Sequence, residues 1–194
     1  MSQGKQAKIL SEGQVKAALA YLDGTRYPLR DRVLFLLTIK AGLRAKEASM
    51  LTWAMVTDPE GGIADCISLP DKASKRKSGR VIPINKELRL ALIELKDATE
   101  PSPEGHIIFS ERSDRMTANS IVMWFNRLFT ALGFDGCSSH SGRRTFITNA
   151  ARKVSLVGGS LRDVQQLAGH SSLHTTQRYV EGDTEAKRKL VNLL

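Results

Sequence analysis

The chain has little of what redox, metal or membrane chemistry requires. Its two cysteines, Cys66 and Cys137, are far apart and form no CxxC pair, so neither a disulfide framework nor a thiolate zinc site is expected, and a reducing compartment suits it. No carboxylate cluster or Cys/His spacing of a metal site is present, so no metal or other cofactor is expected. The longest apolar run, Val33 to Leu37, is far too short to span a bilayer, and the polar start Met-Ser-Gln-Gly-Lys-Gln lacks the apolar core of a signal peptide. A cytoplasmic protein with no membrane partner is the expectation. Aromatic residues make up 6%, which leaves no stacking platform for single-stranded RNA. Acidic residues are the minority charge: 20 against 29 basic ones, net +9. Such an excess favours a polyanionic partner, most often nucleic acid.

What is present is 194 residues, 41% of them apolar, enough for one ordinary domain with a sizeable core. Ser11-Glu-Gly-Gln14 reads as a capping box, after which Val15, Leu19 and Leu22 recur at helical spacing. Pro28 opens a second helix that Gly42 stops, and a third runs from near Arg44 to about Trp53. Ile63 to Leu69 and Arg80-Val-Ile-Pro-Ile84 read as short strands joined by a basic connection, with Pro83 at an edge or terminal position. Helices follow at roughly 86–97, 117–132, 140–153, 160–168 and 172–180. The predicted class is α+β, mainly helical with a small antiparallel sheet. The chain reads as a single domain over 1–194, with a flexible start over 1–10 and a tail helix within 181–194.

The chemistry lies in an ordered set of groups: Arg44, then His140-Ser-Gly-Arg143, then Leu-Ala-Gly-His170, then Tyr179 nine residues on. A tyrosine hydroxyl has a pKa near 10, so about one in a thousand is ionised at neutral pH. It attacks a phosphodiester only beside a base or in a cationic pocket. Charge then grows on the non-bridging oxygens, and each donor aimed there is worth about 3–4 kcal/mol. Arginine suits that task, since its fork bonds two oxygens and keeps its charge. His140 and Arg143, three apart, share a helix face, with Ser138 or Ser139 as the expected cap. Arg44, with Glu47 three residues on, and His170, before Ser171-Ser172, also sit at presumed helix starts, where free N–H groups attract phosphate. The expectation is that these helix starts converge on one anion. Each residue alone also admits a plainer role: Arg44–Glu47 a surface pair, the histidines caps or packing groups, Tyr179 a packing residue.

Ala41-Gly-Leu-Arg44-Ala-Lys-Glu47, His140-Ser-Gly-Arg143-Arg-Thr-Phe146 and Leu167-Ala-Gly-His170-Ser-Ser-Leu-His-Thr-Thr-Gln-Arg-Tyr179 together resemble the catalytic domain of the tyrosine recombinases, the phage-integrase family. Gly142 stands where the family commonly has leucine, and Arg144 where it often has histidine. The resemblance implies that Tyr179 attacks the scissile phosphate to form a 3′-phosphotyrosyl link and release a 5′ hydroxyl. It implies that Arg44, Arg143 and His170 stabilise the transition state, that His140 serves acid–base catalysis, and that Glu47 orients an arginine or histidine. The family's leaving-group lysine lies on a β-hairpin. Counting back from Pro83, Lys75 holds that position, with Lys77 and Lys72 as alternatives. Because the covalent link conserves the phosphodiester's energy, the resemblance implies neither ATP nor a metal.

The implied function is site-specific DNA recombination: integration, excision or inversion, as in a mobile element. The same groups would serve a type IB topoisomerase-like nicking-closing enzyme, and a DNA-binding regulator could keep the fold without the catalysis. The implied partner is double-stranded DNA, touched by Lys46, Lys72, Arg76, Lys77, Arg80 and Arg144. The chain is expected to be a monomer when free and a tetramer on DNA, aided by accessory DNA-bending proteins, in the nucleoid-associated cytoplasm of a bacterium or phage host. Most members carry a helical core-binding domain before the catalytic part; none is expected here.

Overall fold

Ser11 and Gln14 close the expected capping box: the Ser11 hydroxyl accepts from Gln14 N–H, and the Gln14 side chain accepts from Ser11 N–H. This opens α1 (Glu12–Leu22). The computed structural model describes residues 6–71, 79–111, 113–179 and 191–192. Pro28 stands at the first turn of α2 (Pro28–Lys40), where its missing N–H has no partner to lose. Val33 to Leu37 are all fully buried, as a helix that is apolar all round must be. Accordingly α2 is the central element, packed against α1, α3, α4 and α6.

Gly42 ends α2 with φ +66°, a conformation that a Cβ disfavours. The next helix, α3, covers only Ala45–Ser49, with Arg44 as its N-cap, rather than running to Trp53. The chain leaves it early because Leu51 and Trp53, both buried, turn to pair with the 105–107 segment. Ile107 N–H donates to Leu51 O, and Trp53 N–H donates to Gly105 O. Trp53–Met55 then form a single 3₁₀ turn.

The sheet has two antiparallel strands among the described residues, β1 (Cys66–Leu69) and β2 (Arg80–Pro83), in the register Cys66↔Pro83 to Leu69↔Arg80. The first is shorter than the expected 63–69, since Ile63 pairs instead with Thr57 in an isolated bridge. Pro83 is the terminal residue of its strand. Helices α4 (Lys86–Thr99), α5 (Ala118–Ala131), α6 (Ser141–Lys153), α7 (Leu161–Ala168) and α8 (Leu173–Gln177) follow. The molecule is mainly helical with one small antiparallel sheet.

Two apolar clusters hold these elements. The larger gathers α1 to α5 and both strands around Phe35, Leu36, Leu92 and Phe125. The smaller contains Ile147, Val164 and Ala168, with Phe146, Val154 and Tyr179 packed on it, and joins α6, α7 and the residue Tyr179 just past α8. Full burial of each large side chain contributes about 1.5–3 kcal/mol, so α7 and α8 are held far less strongly than α2. Residues 7, 8 and 10 are hydrogen-bonded to the body of the domain. Lys8 N–H donates to Gly136 O, Leu10 N–H to the Thr145 hydroxyl, and Arg144 to Ala7 O. The tail helix expected within 181–194 lies outside the described residues, except at 191–192.

Candidate active site

The turn after α2 places Arg44 and, one helical turn later, Glu47. The Glu47 carboxylate is buried at 1% side-chain exposure. Arg44 donates to it twice, from its backbone N–H at 2.9 Å and from Nη1 at 2.7 Å. Arg80 supplies the other two bonds, Nη1 to Oε1 at 3.0 Å and Nη2 to Oε2 at 2.9 Å. Burial alone would raise the Glu47 carboxyl; the fork from Arg80, with Arg44, overcomes it and lowers the group to about 2.

Helix α6 begins at His140, which is exposed and is itself the N-cap. The expected serine cap is absent: the Ser138 hydroxyl accepts from His140 N–H, and Ser138 N–H donates to the Ser141 hydroxyl. The helix lies very close to α2, since a Cβ on Gly142 would fall 2.1 Å from the Thr38 hydroxyl. A Cβ on Gly42 would similarly meet the Phe146 ring at 2.4 Å. This docking carries Arg143, which is 5% exposed, inward. Its Nη1 donates to Gly42 O and its Nη2 to Ala168 O, both at 2.5 Å. One guanidinium thus spans from the turn before Arg44 to the turn before His170. Burial lowers its pKa to about 9, and repulsion from Arg44 and Arg80 acts the same way. Three guanidinium groups facing one carboxylate leave a cationic surplus, the condition for holding an anion.

Gly169, at φ +60°, ends α7 and turns the chain into His170. His170 Nδ1 lies 3.0 Å from the hydroxyl of Thr176, which is fully buried. The imidazole stacks on the Tyr179 ring, with centroids 5.6 Å apart and planes 24° from parallel. Burial, then the charges of Arg143, Arg44 and Arg80, lower the pKa of His170 to about 4. It is therefore neutral at pH 7 and offers a hydrogen bond rather than a charge. In front of Tyr179 lies a cleft of ≈ 380 Å³ lined by Ser138, His140, Arg144, Thr175 and Arg178, among others.

Arg44, Glu47, Arg143, His170 and Tyr179 are thus one connected group, and His140 shares the cleft with Tyr179. Helix α8 covers five residues, fewer than the expected 172–180, and Tyr179 lies just past it. Lys46 is exposed on α3, and Arg144 is half-buried at the cleft. Lys72, Lys75, Arg76 and Lys77 lie outside the described residues. Arg80, expected on DNA, has a side chain that is 6% exposed, with three of its nitrogens bonded inside the protein. The period of two in β2 carries that signal, because Arg80 shares the buried face of Ile82 while Val81 is exposed. Thr176 and Gln165, whose amide donates to His170 O, were not singled out by sequence. A threonine three residues before a tyrosine has no local signature of such a role.

Residues 8–186 match the phage integrase family. The tyrosine recombinase XerC of Bradyrhizobium diazoefficiens is 34% identical over 160 residues, covering 80% of this chain and 47% of that protein. A crystal structure of XerA recombinase superposes with a TM-score of 0.75 at 24% identity, over 95% of this chain and 64% of that one. The Tn1549 transposon integrase, solved in complex with a circular intermediate DNA, gives 0.73 at 20% identity, over 100% of this chain and 68% of that one. The last two likenesses establish the fold. The chain spans about half the length of the curated relatives it matches. Its three boxes meet at one site, and its match runs through nearly all of its residues: the chain belongs to the phage integrase family.

Proposed function

We propose that this chain carries the strand-cleaving and rejoining site of a site-specific DNA recombinase. The observation that carries the reading is the stack of Tyr179 on His170, tied through α7 to the guanidinium of Arg143 and thence to the Arg44 turn. In the forward step the Tyr179 phenol oxygen bonds to the scissile phosphorus and the bond to the 5′ oxygen breaks. His140 takes up the phenol proton, and Lys75 gives one to the departing 5′ oxygen. Arg44 and Arg143 take the charge that grows on the non-bridging oxygens, and neutral His170 donates a hydrogen bond. Rejoining is the reverse, with a different 5′ hydroxyl as attacker.

The net charge of +9 supports duplex DNA as the partner, and so does the DNA held by the solved Tn1549 integrase. Lys46, Lys72, Arg76, Lys77 and Arg144 are the proposed backbone contacts, of which Arg144 lies beside the nucleophile. The reading extends to a DNA-free monomer, a tetramer joining two duplexes, accessory bending proteins and a place on the nucleoid.

The test is incubation with a library of nicked duplexes, followed by denaturing separation. A protein–DNA adduct should form in EDTA and be absent from Tyr179→Phe. An adduct that persists in Tyr179→Phe would overturn the mechanism. Tight binding with no adduct on any duplex would favour a DNA-binding regulator.

A further inference from the structure

Arg80 is not one of the groups through which the proposed reaction runs, yet its side chain donates three hydrogen bonds within the site. It opens β2, is almost fully buried, and donates three ways: Nη1 and Nη2 to the two oxygens of Glu47, and Nε to Leu167 O at 2.9 Å. Glu47 belongs to α3 and holds both the backbone and the side chain of Arg44. Leu167 belongs to the last turn of α7, one residue before the Ala168 carbonyl that accepts from Arg143. The chain at Gly169 passes so close that a Cβ there would lie 2.9 Å from Arg80 Nη1.

The two buried arginines are therefore parallel struts across one gap. Arg143 joins the Gly42 turn to Ala168, and Arg80 joins Glu47 to Leu167. Helix α7 packs on the small apolar cluster through Val164 and Ala168 and touches the larger core through Leu167. Apolar contact is non-directional, so directional bonds must fix the exact spacing of α7 from α3, and a planar fork with a third donor at its base meets both ends at once. In the proposed reaction Arg143 is the strut that also meets the phosphate, and Arg80 has no such part.

We propose that Arg80 is a positioning residue, which sets Arg44 against the His170–Tyr179 pair by bridging Glu47 to the end of α7 without touching DNA. This rests on the recombinase reading given above. A misplacement of about 1 Å remote from the reacting atoms can cost about a hundredfold in rate, and that is the size of effect at stake.

The experiment uses the full chain. Arg80→Met and Arg80→Lys are each made in the wild type and in Arg44→Ala, and single-turnover cleavage is followed at saturating nicked DNA. Lysine keeps the charge and the aliphatic stem but cannot bridge, so Arg80→Lys keeps the test alive if Arg80→Met fails to fold. Expected in the wild-type background is a roughly ten- to hundredfold loss, and in Arg44→Ala a further loss under about twofold, since coupled residues are not additive. DNA affinity and its slope against salt should match wild type, because no phosphate contact is removed. An equal loss in both backgrounds, or an unchanged rate in folded Arg80→Lys, would overturn the proposal. A shallower salt slope would show instead that Arg80 binds phosphate. Absence of an adduct from the wild type itself would count against the recombinase reading, and the salt slope would still report on Arg80.

Discussion

A buried carboxylate is costly unless its oxygens are filled, and the two oxygens of Glu47 accept four N–H groups from Arg44 and Arg80. Removing that partner strands the buried Arg80 charge, so Glu47→Ala should destabilise the fold by about 3–5 kcal/mol in denaturant titrations. The carboxyl is a stronger acid in the folded protein than in the unfolded chain, about 2 against 4.5. Its contribution is therefore whole above pH 4.5 and is lost as pH falls towards 2. Thermal midpoints measured across that window should fall more steeply for the wild type than for Glu47→Gln. Equal slopes would mean that the pair contributes nothing to acid sensitivity. Arg143→Ala should slow cleavage by about two decades or more while leaving DNA affinity nearly unchanged, as a group acting on transition-state charge does. Rate and affinity measured on the same nicked duplex decide it.

Between elements, the approach of α6 to α2 sets the depth of Arg143. Gly142 permits it: a side chain there would collide with Thr38, which lies on the buried face of α2 with its hydroxyl bonded to Phe35 O. Leucine, the residue the family commonly has, should therefore be harmful here. Gly142→Leu is expected to lower stability by about 1–3 kcal/mol or more through overpacking and to cost cleavage activity by pushing α6 outward. Denaturation midpoints of Gly142→Ala and Gly142→Leu, which should worsen in that order, check this. Helices α7 and α8 rest on few apolar side chains and on capping and arginine bonds. Their amides should exchange hydrogen well before those of α2, where Val33 to Leu37 are fully buried. Equal protection would mean that the arginine bonds hold α7 as firmly as a core does.

For the molecule as a whole, charge governs encounter. A net +9, with Arg144 and Arg178 lining the cleft, predicts that affinity for duplex DNA falls linearly with salt on logarithmic axes. Fluorescence anisotropy from low to moderate salt measures this, and a flat response would exclude phosphate contacts as the main source of binding. Ligands that bind only the folded state raise stability by mass action. Bound DNA should therefore protect α8 more than α2, because Thr175 of α8, with Arg178 and Tyr179 just past it, lines the cleft.

Periodicity and punctuation made most elements legible: the Ser11 capping box, Pro28 at the first turn of α2, Gly42 at its end, and helices over 86–99 and 118–131 within two residues of expectation. These signals are local, set by backbone sterics and by hydrogen bonds within four residues. The order of Arg44, His140, Arg143, His170 and Tyr179 was legible because each group has few chemical roles. The early end of α3 was not, because the 105–107 segment that draws Leu51 and Trp53 away is distant in sequence. Nor were the direction of Arg80 and the partnership of Thr176 with His170, since both depend on contacts between elements. The sequence by itself determined which groups are available and where helices begin. The tertiary structure decided which cations hold the frame, because only packing can bury one arginine against a carboxylate and leave another beside a cleft.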